Sequence, residues 1–162
     1  MKLSRWIGLV LLICLHLVSH ADMLLGHVVA VSDGDTITVL DDTKQRHAIR
    51  LMGIDAPEKA QAFGLRAKQS LSALVFDRDV SITWVKKDRY GRTVGQVYVD
   101  DTDVCLEQIK RGLAWHYKDY EREQSAEDRL RYADAEKEAR IARIGLWADD
   151  YPTEPSKFRR NK

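Results

Sequence analysis

Three short stretches of the chain hold acids and arginines in arrangements that could do chemistry. Asp33-Gly34-Asp35-Thr36 sets two carboxylates at i and i+2, which face the same way on an extended chain, with a glycine permitting a tight entry. Taken alone it is also what an ordinary Asp-Gly turn looks like. Arg50-Leu51-Met52-Gly53-Ile54-Asp55-Ala56-Pro57-Glu58 places an arginine among apolar strand neighbours, an expensive position for a cation without an anionic partner or ligand. Pro57 forces Ala56 into an extended conformation, so the Ala56 carbonyl and the Glu58 side chain point in set directions. A structural Arg50 salt bridge beside a solvated Glu58 is the competing reading, and the weaker one for so specific a conjunction. Asp88-Arg89-Tyr90-Gly91-Arg92 reads as a charged hairpin connection, and Arg92 counts chemically only if it converges on the same cleft as Arg50.

Bulk charge does not do this work. Lys2 and Arg5, the apolar run Ile7–Val18 broken by His16, and Ser19-His20-Ala21 form the pattern of a signal peptide over residues 1–21. The run is short of the roughly 20 residues that span a bilayer, so cleavage after Ala21 is expected, and membrane contact only through this segment if it is uncleaved. The expected location is therefore outside the cytoplasm, secreted or periplasmic. Cleavage removes two cations and no acid, leaving 141 residues with 24 basic and 25 acidic side chains, a net charge of −1. A polyanion would have to be gripped locally, by a few placed arginines or a metal. Cys105 is the single cysteine after residue 21, so the mature chain has no internal disulfide and must stand on its core. Nothing indicates an oligomer, and a monomer is expected.

The elements that must position these groups follow from periodicity. β-rich alternation marks strands over 24–31, 35–40, 45–54, 80–85 and 93–99. Phe63, Ala67, Leu71 and Leu74 recur at helical spacing within a helix over 58–76. Thr102 or Asp103 caps a second helix that ends before Gly112. The third starts near Ser125 with Asp128 placed for a capping box, buries Tyr132, Ala135, Ala139, Ala142 and Leu146, and ends at Gly145. The fold class expected is α+β, a five-stranded OB-type β-barrel with about three α-helices. The domain spans 22–147, and 148–162, polar and holding Pro152 and Pro155, is read as a surface tail.

The motifs Val31–Thr36, Arg50–Glu58, Asp88–Arg92 and Gly112-Leu113-Ala114-Trp115, in that order, resemble the staphylococcal nuclease (thermonuclease) family over about 26–147. The resemblance implies a calcium-dependent phosphodiesterase acting on DNA and RNA with little sequence specificity. It implies that Asp35 and Asp55 are calcium ligands through their carboxylates and Ala56 through its backbone carbonyl. Glu58 would hold or activate the attacking water, Arg50 and Arg92 would clamp the phosphate, and Asp33 and Thr36 would sit next to the metal. The family's best-known member has threonine where Ala56 stands, which a carbonyl ligand tolerates, and a longer segment after Glu58, so the loop flanking the cleft is expected to be trimmed.

The chemistry is coherent apart from the resemblance. Calcium takes hard oxygen ligands in flexible geometry, and guanidiniums give paired hydrogen bonds to phosphoryl oxygens without losing their charge. Tyr117 and Tyr120 could form a wall on which a base stacks, Trp115 suits the core equally well, and His116 reads as a hydrogen-bonded histidine. Two other classes stay open: a non-catalytic OB-type nucleic-acid-binding module, and a calcium-stabilised interaction protein whose acids are structural. A binder would be expected to have lost acid or arginine positions, and this chain holds Asp35, Asp55, Glu58, Arg50 and Arg92.

Overall fold

A computed structural model describes residues 22–161; the expected signal peptide lies outside the described residues. Alternating side chains build the sheet. In β2 (Thr36–Leu40) Ile37 and Val39 turn inward, and in β3 (Arg46–Leu51) Ile49 and Leu51 do so. The period of two therefore puts Arg50 on the opposite face from the core. β1 (Asp22–Val31) pairs antiparallel with β2 and with β5 (Asp79–Lys87), which pairs in turn with β6 (Thr93–Val99). β6 then returns to β3 in parallel, Ile49 opposite Thr93 and Arg50 opposite Val94, closing a five-stranded barrel. Closure removes both sheet edges and encloses Val28, Ile37, Val39, Ile49, Ile82 and Val97.

Three short strands lie beyond the barrel. β7 (Thr102–Asp103) extends β6, while β4 (Ile54–Asp55) pairs only with β8 (Trp115–His116), Asp55 opposite Trp115. α1 (Gly64–Val75) buries Ala67, Leu71 and Val75. It starts six residues later than the periodicity suggests, because Phe63 before it adopts a left-handed φ of 66° and residues 58–63 form turns instead. α2 (Val104–Lys110) is capped by Asp103, whose side chain accepts from the Leu106 N–H. α3 (Ala126–Ile141) is capped by Ser125, and the Asp128 carboxylate accepts from the Ser125 hydroxyl rather than from its backbone. It buries Tyr132, Ala135 and Ala139, but ends at Ile141 with Arg143 left-handed, so Ala142 is exposed and Gly145 opens a separate 3₁₀ turn, Gly145–Ala148, that carries the buried Leu146.

Barrel and helices are tied together by a buried polar cluster. Tyr132 of α3 donates to the Asp103 carboxylate at 3.0–3.1 Å, and Gln96 of β6 donates to the same carboxylate at 3.0 Å. One acid thus joins β6, the start of α2 and the middle of α3. Nearby Cys105 is fully buried, and burial pushes its thiol far above the ordinary range. Tyr132→Phe keeps the ring and deletes one donor to a buried carboxylate. It is expected to lower stability by about 1–3 kcal/mol. Denaturant unfolding of the two proteins measures this, and coincident midpoints would show the cluster to be energetically neutral.

Candidate active site

Arg50 organises a cleft of about 700 Å³ on the outside of the barrel. Its Nη2 lies 3.0 Å from Asp55 Oδ1 and 3.2 Å from Asp35 Oδ2, and its Nη1 donates to the Leu51 carbonyl at 2.9 Å. These side chains are only 12%, 3% and 10% exposed for Arg50, Asp55 and Asp35, so the pairing works in a medium that screens poorly. The salt bridge of the competing reading is thus present at Arg50, and it is double. β2–β3 pairing sets Thr36 opposite Arg50, which delivers Asp35 beside the guanidinium.

Asp35 is held from several directions. Its Oδ2 accepts from the Ala56 N–H at 2.8 Å and its Oδ1 from the Thr36 hydroxyl at 3.1 Å, while its own N–H donates to Asp33 Oδ1 at 3.1 Å. Burial pushes the Asp35 carboxyl up to about 7 against the lowering by Arg50, with Asp33 and Asp55 adding to the rise. Its negative charge is therefore under-compensated, the condition a bound cation would relieve. Gly34 is required here: a Cβ would stand 2.6 Å from the Cβ atoms of both Ala56 and Ala67. Gln108 of α2 completes the turn by donating to the Gly34 carbonyl at 2.9 Å and to the Ala67 carbonyl at 3.0 Å.

Asp55 sits on β4, whose partner strand β8 is braced by α3. The Glu136 carboxylate accepts from the His116 N–H at 3.2 Å and pairs with Lys118 at 2.8 Å. His116 is buried and its Nε2 meets Gln124 Oε1 at 2.9 Å, a structural bond. Trp115 packs edge-on against Trp147, ring centres 4.4 Å apart. Glu58 follows Pro57 into the cleft, and its backbone carbonyl lies where a Cβ on Gly64 would come within 1.9 Å, so only glycine can open α1 beneath it.

Arg92 reaches the same cleft because the parallel closure places Thr93 beside Ile49. Its Nε and Nη2 engage Asp88 Oδ2 at 2.7 Å, and its Nη1 lies 3.4 Å from the Thr36 hydroxyl. Burial would raise the Asp88 carboxyl, but the bonds from the Arg92 side chain and from the Arg92 and Tyr90 N–H groups hold it below the ordinary range. Arg92 is accordingly half-buried and paired rather than a loose turn cation. Tyr117 and Tyr120 line the other side of the cleft with ring centres 4.9 Å apart, and Lys86, paired with Glu123, lies 5.4 Å from the Tyr120 ring centre.

The sequence reading missed several participants. Gln108 and Glu136 act from helices through single polar contacts, which leave no mark on hydrophobic periodicity. Arg159 departs furthest from expectation. The C-terminal segment is polar, yet it forms a helix, α4 (Pro155–Arg160), that delivers Arg159 into the cleft, where its Nη1 and Nη2 meet Asp55 at 3.1 and 3.0 Å and Nη1 meets Glu58 Oε1 at 2.9 Å.

A closed five-stranded OB-type barrel with helices and an acid–arginine cleft defines an α+β class of protein. Within it, the family model described as staphylococcal nuclease homologue matches residues 48–149, and the chain belongs to that family. It is 44% identical over 135 residues to an uncharacterized endonuclease of Haemophilus influenzae, covering 83% of this chain and 72% of that protein. It is 42% identical over 144 residues to the micrococcal nuclease of Shigella flexneri, covering 83% and 80%. An uncharacterized endonuclease of Escherichia coli matches at 38% over 161 residues, 99% of this chain and all of that one.

The donor set fits a hard cation. Among the described residues no three His, Cys, Asp or Glu side chains gather as a metal cluster, but Asp35 and Asp55 converge within reach of one guanidinium, and both are anionic oxygen donors. Arg50→Gln would leave the two buried carboxylates without that counter-charge. In chelator it should lower stability by about 3–5 kcal/mol, the cost of breaking a buried pair. Urea unfolding reads this directly; a shift below about 1 kcal/mol would mean that Arg50 is dispensable to the acids.

Proposed function

We propose that the chain is an exported, calcium-dependent endonuclease that hydrolyses the phosphodiester bonds of DNA and RNA with little sequence specificity. The observation that carries this reading is the convergence of Asp35, Glu58, Arg50 and Arg92 on one cleft of a staphylococcal nuclease barrel, with Asp55 buried just behind and paired with Arg50. Export rests on the signal pattern of residues 1–21, and the protein acts as a monomer, secreted or periplasmic.

Asp35, Asp55 and the Ala56 carbonyl would hold calcium. Two carboxylates and a carbonyl leave much of its coordination to water and substrate, so affinity is modest. The bound ion would neutralise charge that builds on the phosphoryl oxygens. Arg50 from β3 and Arg92 from the turn just before β6 approach the phosphate and share that load through planar forks that stay charged. Arg50 is held in place by Asp35 and Asp55, Arg92 by Asp88, so neither has to be ordered at the moment of reaction. Glu58 meets the attacking water, fixed in direction by Pro57 and by the bond from its N–H to Gln61 Oε1 at 3.1 Å. Asp33 and Thr36 orient Asp35. Tyr117 and Tyr120 offer a face for an unstacked base, which favours single strands, while a grip on phosphate serves DNA and RNA alike.

Digestion of single-stranded DNA, plasmid and RNA with calcium, and again with chelator, tests the reading. All three should be cut with calcium only, single strands fastest. Binding without cutting would return the protein to the binding-module class. Glu58→Gln should lower turnover by orders of magnitude with substrate binding largely intact.

Arg92→Lys separates a clamp from a turn cation. An ammonium cannot span Asp88, Thr36 and a phosphate together, and losing one such preorganised contact costs about 3–4 kcal/mol of barrier, several hundredfold in rate. Stability should change by no more than about 1 kcal/mol, the usual worth of a partly exposed pair. Turnover at saturating calcium, read beside thermal unfolding, would dismiss the clamp if the lysine variant kept near-normal rates.

A further inference from the structure

Both carboxylate oxygens of Asp55 are taken by guanidinium groups. Oδ1 is shared between Arg50 and Arg159 at 3.0 and 3.1 Å, and Oδ2 meets Arg159 at 3.0 Å. The same Arg159 Nη1 holds Glu58 at 2.9 Å. A side chain 104 residues from Asp55 in sequence therefore engages a proposed calcium ligand in a two-pronged pair and masks the proposed water-binding carboxylate.

The helix that brings it there is seated rather than loosely laid on the surface. Pro155 at the start of α4 is buried. The Thr153 carbonyl accepts from Gln61 Nε2 at 2.5 Å, and Gln61 Oε1 accepts from the Glu58 N–H, so one glutamine joins the incoming segment to the loop that carries Glu58. Phe158 lines a second hollow of about 190 Å³ together with Pro57, Phe63, Trp115 and Leu146. Arg159 itself stays 40% exposed at the cleft mouth. The contact can therefore open without unpacking the core.

We propose that α4 is an autoinhibitory latch: Arg159 is a tethered counter-cation that competes with the divalent cation for Asp55 and covers Glu58 until calcium displaces it. The inference rests on the calcium reading given above. With Arg159 in place both Asp55 oxygens carry a guanidinium, Oδ1 two of them, so an incoming dication meets cationic charge on each oxygen and is repelled until Arg159 leaves. Binding to the latched form is closed, so the observed dissociation constant is the intrinsic one divided by the open fraction. A latch shut nine-tenths of the time weakens calcium about tenfold. The enzyme would thus be silent at low calcium and switch on over a higher range than its ligand set alone would set.

Calorimetric titration of calcium into metal-free protein tests this, comparing wild type with Arg159→Gln and Arg160→Gln. Arg160 is an exposed cation on the same helix and serves as the charge-matched control. Arg159→Gln should bind calcium several-fold to about tenfold more tightly, and Arg160→Gln should match wild type. In the wild-type chain, amide exchange over 155–160 should quicken when calcium binds, a readout that needs no variant. Unchanged or weaker calcium affinity in Arg159→Gln, or exchange in α4 that calcium leaves unaltered, would overturn the latch while leaving the calcium site in place. Loss of turnover in Arg159→Gln at saturating calcium would reassign Arg159 to the substrate and overturn it as well. Failure of wild type and both variants to bind calcium at all would remove the metal reading and the latch with it.

Discussion

Three parallel bridges between β3 and β6, Ile49 to Thr93, Arg50 to Val94 and Leu51 to Gly95, hold the functional half of the molecule together. Antiparallel hairpins would have formed from local sequence alone. The parallel return joins segments more than forty residues apart, and it alone sets Arg92 beside the strand that carries Arg50. Arg50 in turn gathers Asp35 from the turn just before β2 and Asp55 from the two-residue strand that follows. Barrel closure and site assembly are therefore one event, and a chain that fails to close has neither core nor cleft.

The cleft concentrates charge where charge is costly. Asp35 and Asp55 are nearly buried, and burial outweighs the nearby arginine enough to push the Asp35 carboxyl up to about 7. Such an arrangement does not maximise stability, since buried ion pairs seldom repay their desolvation. It is preorganised to receive more positive charge. Uncharged donors hold the surrounding scaffold in order: the Gln108 amide on the Gly34 carbonyl, the Ala56 N–H on Asp35, and Tyr132 and Gln96 on Asp103.

The barrel strands, the Asp103 and Ser125 caps and the buried stripe of α3 through Ala139 were legible in the sequence because each is written in local spacing. The acid–arginine segments were legible because strand alternation and Pro57 restrict where those side chains point. What escaped was set by packing between distant parts. The start of α1 depends on the fit of Gly64 over the Glu58 carbonyl, the strand Trp115–His116 exists only because Ile54–Asp55 is there to receive it, and the exposure of Ala142 follows from Arg143 turning left-handed two residues before Gly145. Arg159 was hidden for a different reason: a short polar segment rich in lysine and arginine has the composition of a solvated end, and only the acids across the cleft give it a place to dock.

Cys105 carries a consequence of its own. It is the single cysteine of residues 22–161, lies fully inside the core where α2 begins, and has a thiol that burial keeps protonated. A thiolate is the reactive form, so an external disulfide or alkylating reagent finds nothing to attack in the native molecule. Only a chain whose barrel and α2 have come apart presents that sulfur to solvent. The rate at which Cys105 is labelled is thus an internal clock for global opening, slowed by whatever binds only the folded molecule and blind to the fraying of either end.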